Sequence, residues 1–274
     1  MDPERCRQGA METLAGLVDE LGLTLVPYIV LLIVPVLGRM SDSDEDVREA
    51  ATGTFAALVR LMPLEGGGGV SEPVNMSESL LARKEAEKSF LAQLMNAKEA
   101  EPYVLSVPVA AELRSYQSAG VNWLGFLNRY GLHGILCDDM GLGKTLQTIC
   151  ILGNDHHRLV ERNSSSQPLQ SLVVCPPTLG GHWREEVARF VGPQCLSPFL
   201  YYGSAAARCA LRPRLSMHNL VITSYDILRN DVDFLAAIHW NYVVLDEGHV
   251  IKNSKSKTFQ AVLRVRFQIL WLGF

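Results

Sequence analysis

What the chain lacks narrows its class before anything it contains. Its six cysteines, Cys6, Cys137, Cys150, Cys175, Cys195 and Cys209, include no Cys-x-x-Cys pair, so neither a zinc site nor a disulfide framework is indicated. A reducing, intracellular setting is the simplest reading. No apolar run reaches the roughly 20 residues that cross a bilayer. The longest, residues 23–37, is interrupted by Pro27 and Pro35 and is expected to be a core helix. The opening Met-Asp-Pro-Glu-Arg is acidic and has no apolar core, so it is not read as a secretory signal. Nor is there a large excess of either charge, the net value being -4. The charge is unevenly spread, however, with 9 basic and 17 acidic residues in 1–108 against 16 and 12 in 109–274. From Gly248 onward stand Lys252, Lys255, Lys257, Arg264 and Arg266 with no acid, a run that suits a polyanion and equally suits a solvated face.

The stretch around which the rest is organised is Asp138-Asp139-Met140-Gly141-Leu142-Gly143-Lys144-Thr145, between the apolar runs 134–137 and 146–152. That pattern predicts a buried strand, a tight loop and a helix. Glycines at 141 and 143 can take positive φ and bring bare backbone N–H groups against an anion, where the start of a helix adds its own unsatisfied donors. The loop is thus a candidate phosphate cradle. Lys144 would reach the β and γ phosphates of a nucleotide, and the Thr145 hydroxyl would help hold Mg²⁺. The general pattern G-x-x-x-x-G-K-[ST] has glycine where this chain has Asp138.

Ahead of this stretch, residues 12–62 read as helical. Val47, Ala50, Ala51, Phe55, Leu58, Leu61 and Met62 recur at steps of three and four, and the acidic turn 41–46 offers N-cap residues before them. The resulting hairpin resembles a HEAT-type repeat, with a free-standing helical cap as the other reading. Glycines 66–69 followed by Glu72-Pro73 mark a linker, and 79–101 reads as a charged bridging helix. The expected organisation is a helical segment at 1–65, linker and bridge at 66–108, and a nucleotide-binding domain at 109–274. Within that last part the strand candidates are 134–137, 172–175, 199–202, 220–223, 242–245 and 267–272. Continuous apolar runs of this kind belong to a parallel sheet buried on both faces, so the class is α/β, doubly wound, with ligands beyond the carboxyl ends of the strands. The polar stretch 154–170, with its His156-His157 pair, is expected to be a surface loop.

A second chemical element is the strand ending in Asp246-Glu247-Gly248-His249. Two consecutive acids closing an apolar strand are costly unless they face a ligand. Asp246 would hold Mg²⁺, largely through water, and Glu247 would orient and deprotonate the water attacking the γ phosphate, which makes Lys144, Asp246 and Glu247 the catalytic candidates.

With Leu113-Arg114-Ser-Tyr116-Gln117 a third element joins these. Leu-Arg-x-Tyr-Gln-x-x-Gly-Val-x-Trp, Asp-Asp-Met-Gly-Leu-Gly-Lys-Thr, Val-Val-Cys-Pro-Pro, Ile-Thr-Ser-Tyr-Asp and Asp-Glu-Gly-His, in that order, resemble the Swi/Snf-type ATPases of helicase superfamily two. In that family an acidic residue stands regularly at the place of Asp138. The resemblance implies a RecA-like first lobe, ATP and Mg²⁺ as cofactors, and double-stranded DNA as partner. It implies that Gln117 reads the adenine edge, that 138–145 hold ATP, that Asp246, Glu247, Gly248 and His249 form the acidic box, and that Pro176, Pro177, Thr178, Thr223 and Ser224 lie in segments touching the DNA backbone. A HEAT-like segment directly before the motor points to the branch whose HEAT array grips the TATA-binding protein, hence to transcription regulation in the nucleus. The family also has a second lobe that supplies arginines to the transferring phosphoryl group. This sequence holds only the first, so the isolated chain is expected to bind ATP weakly and hydrolyse it slowly; the alternative is a non-hydrolysing nucleotide-binding interaction module. Where the family continues with a Gly-Thr-Pro turn, Trp271-Leu272-Gly273-Phe274 stands instead.

Overall fold

The computed structural model describes residues 3–42, 44–65, 76–96, 101–139, 141–162 and 170–273. The expected linker at 66–73, Met140 of the glycine loop and residues 163–169 lie outside them. The chain divides into two compact units, Met1–Glu99 and Ala100–Phe274.

Among its described residues the elements of the first unit are all helical: α1 (Pro3–Leu21), a 3₁₀ stretch (Gly22–Tyr28), α2 (Ile29–Arg39), α3 (Glu45–Glu65) and α4 (Glu78–Met95). The apolar run read as a single core helix is divided, because Pro27 has no N–H to give the helical ladder; the α-helix begins only at Ile29. Ile29, Ile33, Val36, Val47, Ala51 and Leu58 are at most 1% exposed and form the seam between α2 and α3. The stretch Arg5–Arg39 is long and apolar enough to pass for a membrane span, but these inward residues of α2 already pack on α3. The acidic turn between them is built around Asp42. Its carboxylate accepts from Arg7 at 2.9 Å, Arg39 at 3.0 Å and the Asp44 N–H at 3.1 Å, while Asp44 caps α3 by accepting from the Val47 N–H at 3.0 Å. Burial alone would raise the Asp42 carboxyl; the hydrogen bonds outweigh it and hold the group below the ordinary carboxylate value. The charged helix α4, expected to bridge, packs on α2 within this unit.

The second unit is a six-stranded, wholly parallel sheet in the order β1-β6-β5-β2-β4-β3. Its strands are β1 (Gly134–Leu136), β2 (Ser171–Cys175), β3 (Pro198–Leu200), β4 (Leu220–Ser224), β5 (His239–Leu245) and β6 (Arg266–Gly273). Each of the six apolar runs is a strand. Between them run α5 (Ser115–Arg129), before β1, and α6 (Lys144–Arg162), α7 (Gly180–Phe190), α8 (Ala205–Leu211), α9 (Tyr225–Asn230), α10 (Val232–Ala236) and α11 (Lys257–Arg264). The central strands β2, β4 and β5 are covered on both faces, with Leu172, Val221, Trp240, Tyr242 and Leu245 fully buried, whereas Ile135 on the edge strand β1 is 55% exposed. Trp271 and Leu272 remain in β6, paired with Gly134 and Ile135 of β1.

One expectation fails here. Residues 154–162 are not a surface loop but the second half of α6. Asn154 is fully buried, accepting from the Ser106 N–H at 2.6 Å and donating to the Val104 carbonyl at 3.3 Å. His156 is 2% exposed, and its Nε2 lies 2.9 Å from the Ser171 hydroxyl at the start of β2. These polar residues are buried because each has a partner waiting, in the extended segment 101–111 and in the sheet.

Candidate functional site

Parallel strands send every βα connection out at the same edge of the sheet, so the loop after β1 and the turn after β5 emerge side by side with only β6 between them. The glycine loop takes the conformation its residues predict: Gly141 has φ 84° and Gly143 φ 81°, both in the left-handed region. A Cβ at 143 would lie 2.4 Å from the Gln117 Nε2, so a side chain there would push the Gln117 amide aside. Lys144, Thr145 and Leu146 form the first turn of α6, where backbone N–H groups have no acceptor inside the helix. They make a natural anion seat.

The side chains around that seat are held by the loop itself. The Lys144 amine donates to the backbone carbonyls of Asp138 at 2.6 Å and Asp139 at 3.1 Å, which folds it back over the loop. The Asp138 carboxylate accepts from the Gln147 Nε2 at 3.2 Å, so the residue standing where the general pattern has glycine ties the loop to α6. Gln117 is engaged at both ends of its amide, accepting from the Arg114 N–H at 3.0 Å and donating to the Leu142 carbonyl at 3.0 Å.

Lys144, Thr145 and Asp246 line one cleft, together with Trp183, Trp271 and Gly273. Its free volume of about 20 Å³ is that of one water or ion, so the bulk of any nucleotide would extend from it along the open loop. The Thr145 hydroxyl makes no hydrogen bond among the described residues. Asp246 gives one oxygen to the Trp183 indole N–H at 2.8 Å and the other to the Glu247 N–H at 3.1 Å, and it makes no ion pair with a described residue. An unengaged hydroxyl beside an uncompensated carboxylate is an all-oxygen donor set with room for water, which fits Mg²⁺. Glu247 has φ 56° and ψ 51°, the only left-handed backbone among the described non-glycine residues, and its carboxylate lies 3.2 Å from the His249 Nδ1. A glutamate held there carries backbone strain of the kind that collects at functional sites.

The candidate DNA residues fall into two groups. Pro177 and Thr178 are exposed on the connection after β2. Thr223 and Ser224 are 0% and 3% exposed and are used internally: Thr223 donates to the Tyr201 carbonyl at 3.0 Å, and the Ser224 hydroxyl caps α9 by accepting from the Ile227 N–H at 3.4 Å. Their side chains therefore do not present themselves to an external polyanion. Lys252, Lys255, Lys257, Arg264 and Arg266 are all exposed, and Arg264 pairs with Asp233.

Sequence reading missed Trp183 and Tyr225. The Tyr225 hydroxyl donates to the Asp246 carbonyl at 2.8 Å, so side chain and backbone of the acidic box are each anchored from another element. Both residues stand within the quoted motif stretches or a few positions beyond them, which was the available signal.

A parallel sheet carrying a glycine-loop anion seat and an acidic box at one edge is the architecture of a nucleotide-dependent ATPase core, and the sequence profile of the SNF2-related domain matches residues 116–272. The chain belongs to that family. It is 53% identical over 274 residues to the human TATA-binding protein-associated factor 172, a match covering 97% of this chain and 15% of that protein. It is 50% identical over 269 residues to the TATA-binding protein-associated factor mot1 of Schizosaccharomyces pombe, covering 95% and 13%. The chain thus spans about one seventh of the length of these curated relatives. Among solved structures, the Sulfolobus solfataricus SWI2/SNF2 ATPase core in complex with dsDNA aligns with a TM-score of 0.52 and 31% identity, over 62% of this chain and 34% of that one.

Proposed function

We propose that this chain is the ATP-binding lobe of a DNA-dependent ATPase that remodels or removes the TATA-binding protein on promoter DNA and so regulates transcription in the nucleus. The observation that carries the catalytic part is the convergence of Lys144, Thr145 and Asp246 on one cleft at the carboxyl edge of the sheet. The partner is supported by the names of the two relatives, and the DNA by the duplex in complex with the solved ATPase core and by the exposed cations from Lys252 onward. The helical unit would be the HEAT-like element that meets the TATA-binding protein, and a second lobe would complete the nucleotide site.

In this reading the N–H groups of the glycine loop and of the first turn of α6 bind phosphate oxygens, whose charge the helix start favours. Lys144 exchanges the carbonyls of Asp138 and Asp139 for the β and γ phosphates. Gln117 would read the adenine edge with the second N–H and the second lone pair of its amide, while its bonds to the Arg114 N–H and the Leu142 carbonyl tie that amide to the loop. Thr145 and Asp246 would hold Mg²⁺, which when bound neutralises charge developing on the phosphate oxygens. Glu247 orients the attacking water and takes its proton.

The test is titration with a fluorescent ATP analogue followed by phosphate release with and without duplex DNA. Lys144→Ala should weaken binding about ten- to a hundredfold, the scale of a lost hydrogen bond to a charged group. Glu247→Gln should leave binding intact and abolish release. Equal affinity in the Lys144→Ala variant removes the cradle assignment, and a failure to capture the TATA-binding protein with the whole chain removes the partner role of the helical unit.

A further inference from the structure

The carboxylate of Asp246 is held by a donor that carries no charge. Trp183, in the first turns of α7, is 2% exposed, and its indole N–H reaches the Asp246 Oδ2 at 2.8 Å. Burying that indole gives its one donor a single acceptor. The choice of donor matters for what the carboxylate can then do. An arginine or lysine in the same place would pair with Asp246 and compete with any divalent cation for it. A neutral N–H fixes one oxygen and leaves the negative charge in place. With the Glu247 N–H on Oδ1 at 3.1 Å and the Tyr225 hydroxyl on the backbone carbonyl at 2.8 Å, the plane and reach of the carboxylate are defined at three points. Asp246 itself borders the cleft that Lys144 and Thr145 share.

We propose that Trp183 is the positioning residue for Asp246: its neutral N–H aims the carboxylate into the cleft for a divalent cation without competing for it. This rests on the assignment of Asp246 as the metal-holding acid. The arrangement is the outer-shell support typical of metal carboxylates, whose removal usually costs 10- to 100-fold in metal affinity. Trp183 also lines the cleft, and the role assigned to it here is exercised through its hydrogen bond to Asp246.

The experiment is the binding of fluorescent ADP to the whole chain across a range of Mg²⁺ concentrations and in EDTA, for wild type, Trp183→Phe, Asp246→Asn and the double variant, each with its thermal unfolding curve. Trp183→Phe is expected to raise the Mg²⁺ concentration needed for half-effect about 10- to 100-fold and to leave binding in EDTA unchanged. In the Asp246→Asn background it should add no further shift. An unchanged Mg²⁺ requirement in Trp183→Phe overturns the proposal. So does a shift of equal size in the Asp246→Asn background, or an equal loss in EDTA, since a loosened core would act in both. Wild-type binding that ignores Mg²⁺, or that is indifferent to Asp246→Asn, instead overturns the metal role of Asp246 itself and takes the positioning role with it.

Discussion

Lowering the pH from 7 to 5 should destabilise the sheet-bearing unit by an amount set largely by one buried histidine. His156 is 2% exposed in α6, and burial in the low-dielectric interior lowers its pKa from 6.5 to about 4, against a smaller opposing effect of the neighbouring Asp155 charge. Between those two values the unfolded chain binds a proton that the folded chain refuses. Stability is therefore full above pH 6.5 and is lost as the pH falls toward 4. The whole shift corresponds to about 3 kcal/mol, of which roughly 2 kcal/mol falls between pH 7 and 5. Burial of His133 lowers its pKa too and adds in the same direction. Asp231, whose carboxyl the Arg208 hydrogen bond holds below its ordinary 3.8, contributes only at more acidic pH, so the window isolates the histidines. The measurement is urea unfolding at pH 7, 6 and 5, followed by tryptophan fluorescence, with His156→Gln beside the wild type. Glutamine can still meet the Ser171 hydroxyl but has no proton to take up, so its stability should be flatter over the window by most of that 2 kcal/mol. An identical slope in the two proteins would refute the assignment of the acid sensitivity to His156.

Two further expectations concern the loop and the far side of the sheet. Gly143→Ala forces a side chain into a left-handed φ of 81° and against the Gln117 amide at 2.4 Å; about 1 to 2 kcal/mol of backbone cost should appear as a lowered melting temperature, with nucleotide affinity falling more than tenfold, and unchanged affinity would argue against the loop conformation. Arg208 grips Asp231 with two hydrogen bonds of 2.8 and 2.9 Å while both side chains are buried, so Arg208→Met should cost about 3 kcal/mol in denaturant unfolding by leaving the carboxylate without its main cation, and the double variant with Asp231→Leu should recover most of it while nucleotide binding stays as in wild type.

The six strands were legible because a parallel sheet buried on both faces demands uninterrupted apolar runs, and the second unit contains them at 134–137 through 267–272 with polar helices between. The second half of α6 was not. Asn154, Asp155, His156, His157 and Arg158 read as solvated by composition, and what buries Asn154 and His156 are partners 48 residues upstream at Ser106 and 15 residues downstream at Ser171. No local rule supplies such partners. Thr223 and Ser224 are the complementary case: polar residues at the end of a strand look available, and their hydroxyls serve a neighbouring strand and a helix cap.

The same division runs through the site and accounts for which of its parts could be read. A phosphate seat is made by contiguous backbone, so its requirements are written in contiguous residues: Gly141 and Gly143 for the left-handed turns, Lys144 and Thr145 at the helix start. Even the departure at Asp138 becomes intelligible locally, since its carboxylate meets Gln147 one helical turn into α6 and its carbonyl meets Lys144. The acidic box is different. Asp246 and Glu247 are visible as acids closing a strand, but the direction of the Asp246 carboxylate is set by Trp183, 63 residues earlier, and its backbone by Tyr225, 21 residues earlier. Anion binding by a loop can thus be inferred from a window of eight residues, whereas the aiming of a carboxylate requires the sheet order that brings β5 beside β2, because α7 follows β2 and carries Trp183 to it. A substitution that preserved all eight loop residues and the acidic box, yet displaced α7, should therefore leave nucleotide contact intact and impair only what depends on Asp246.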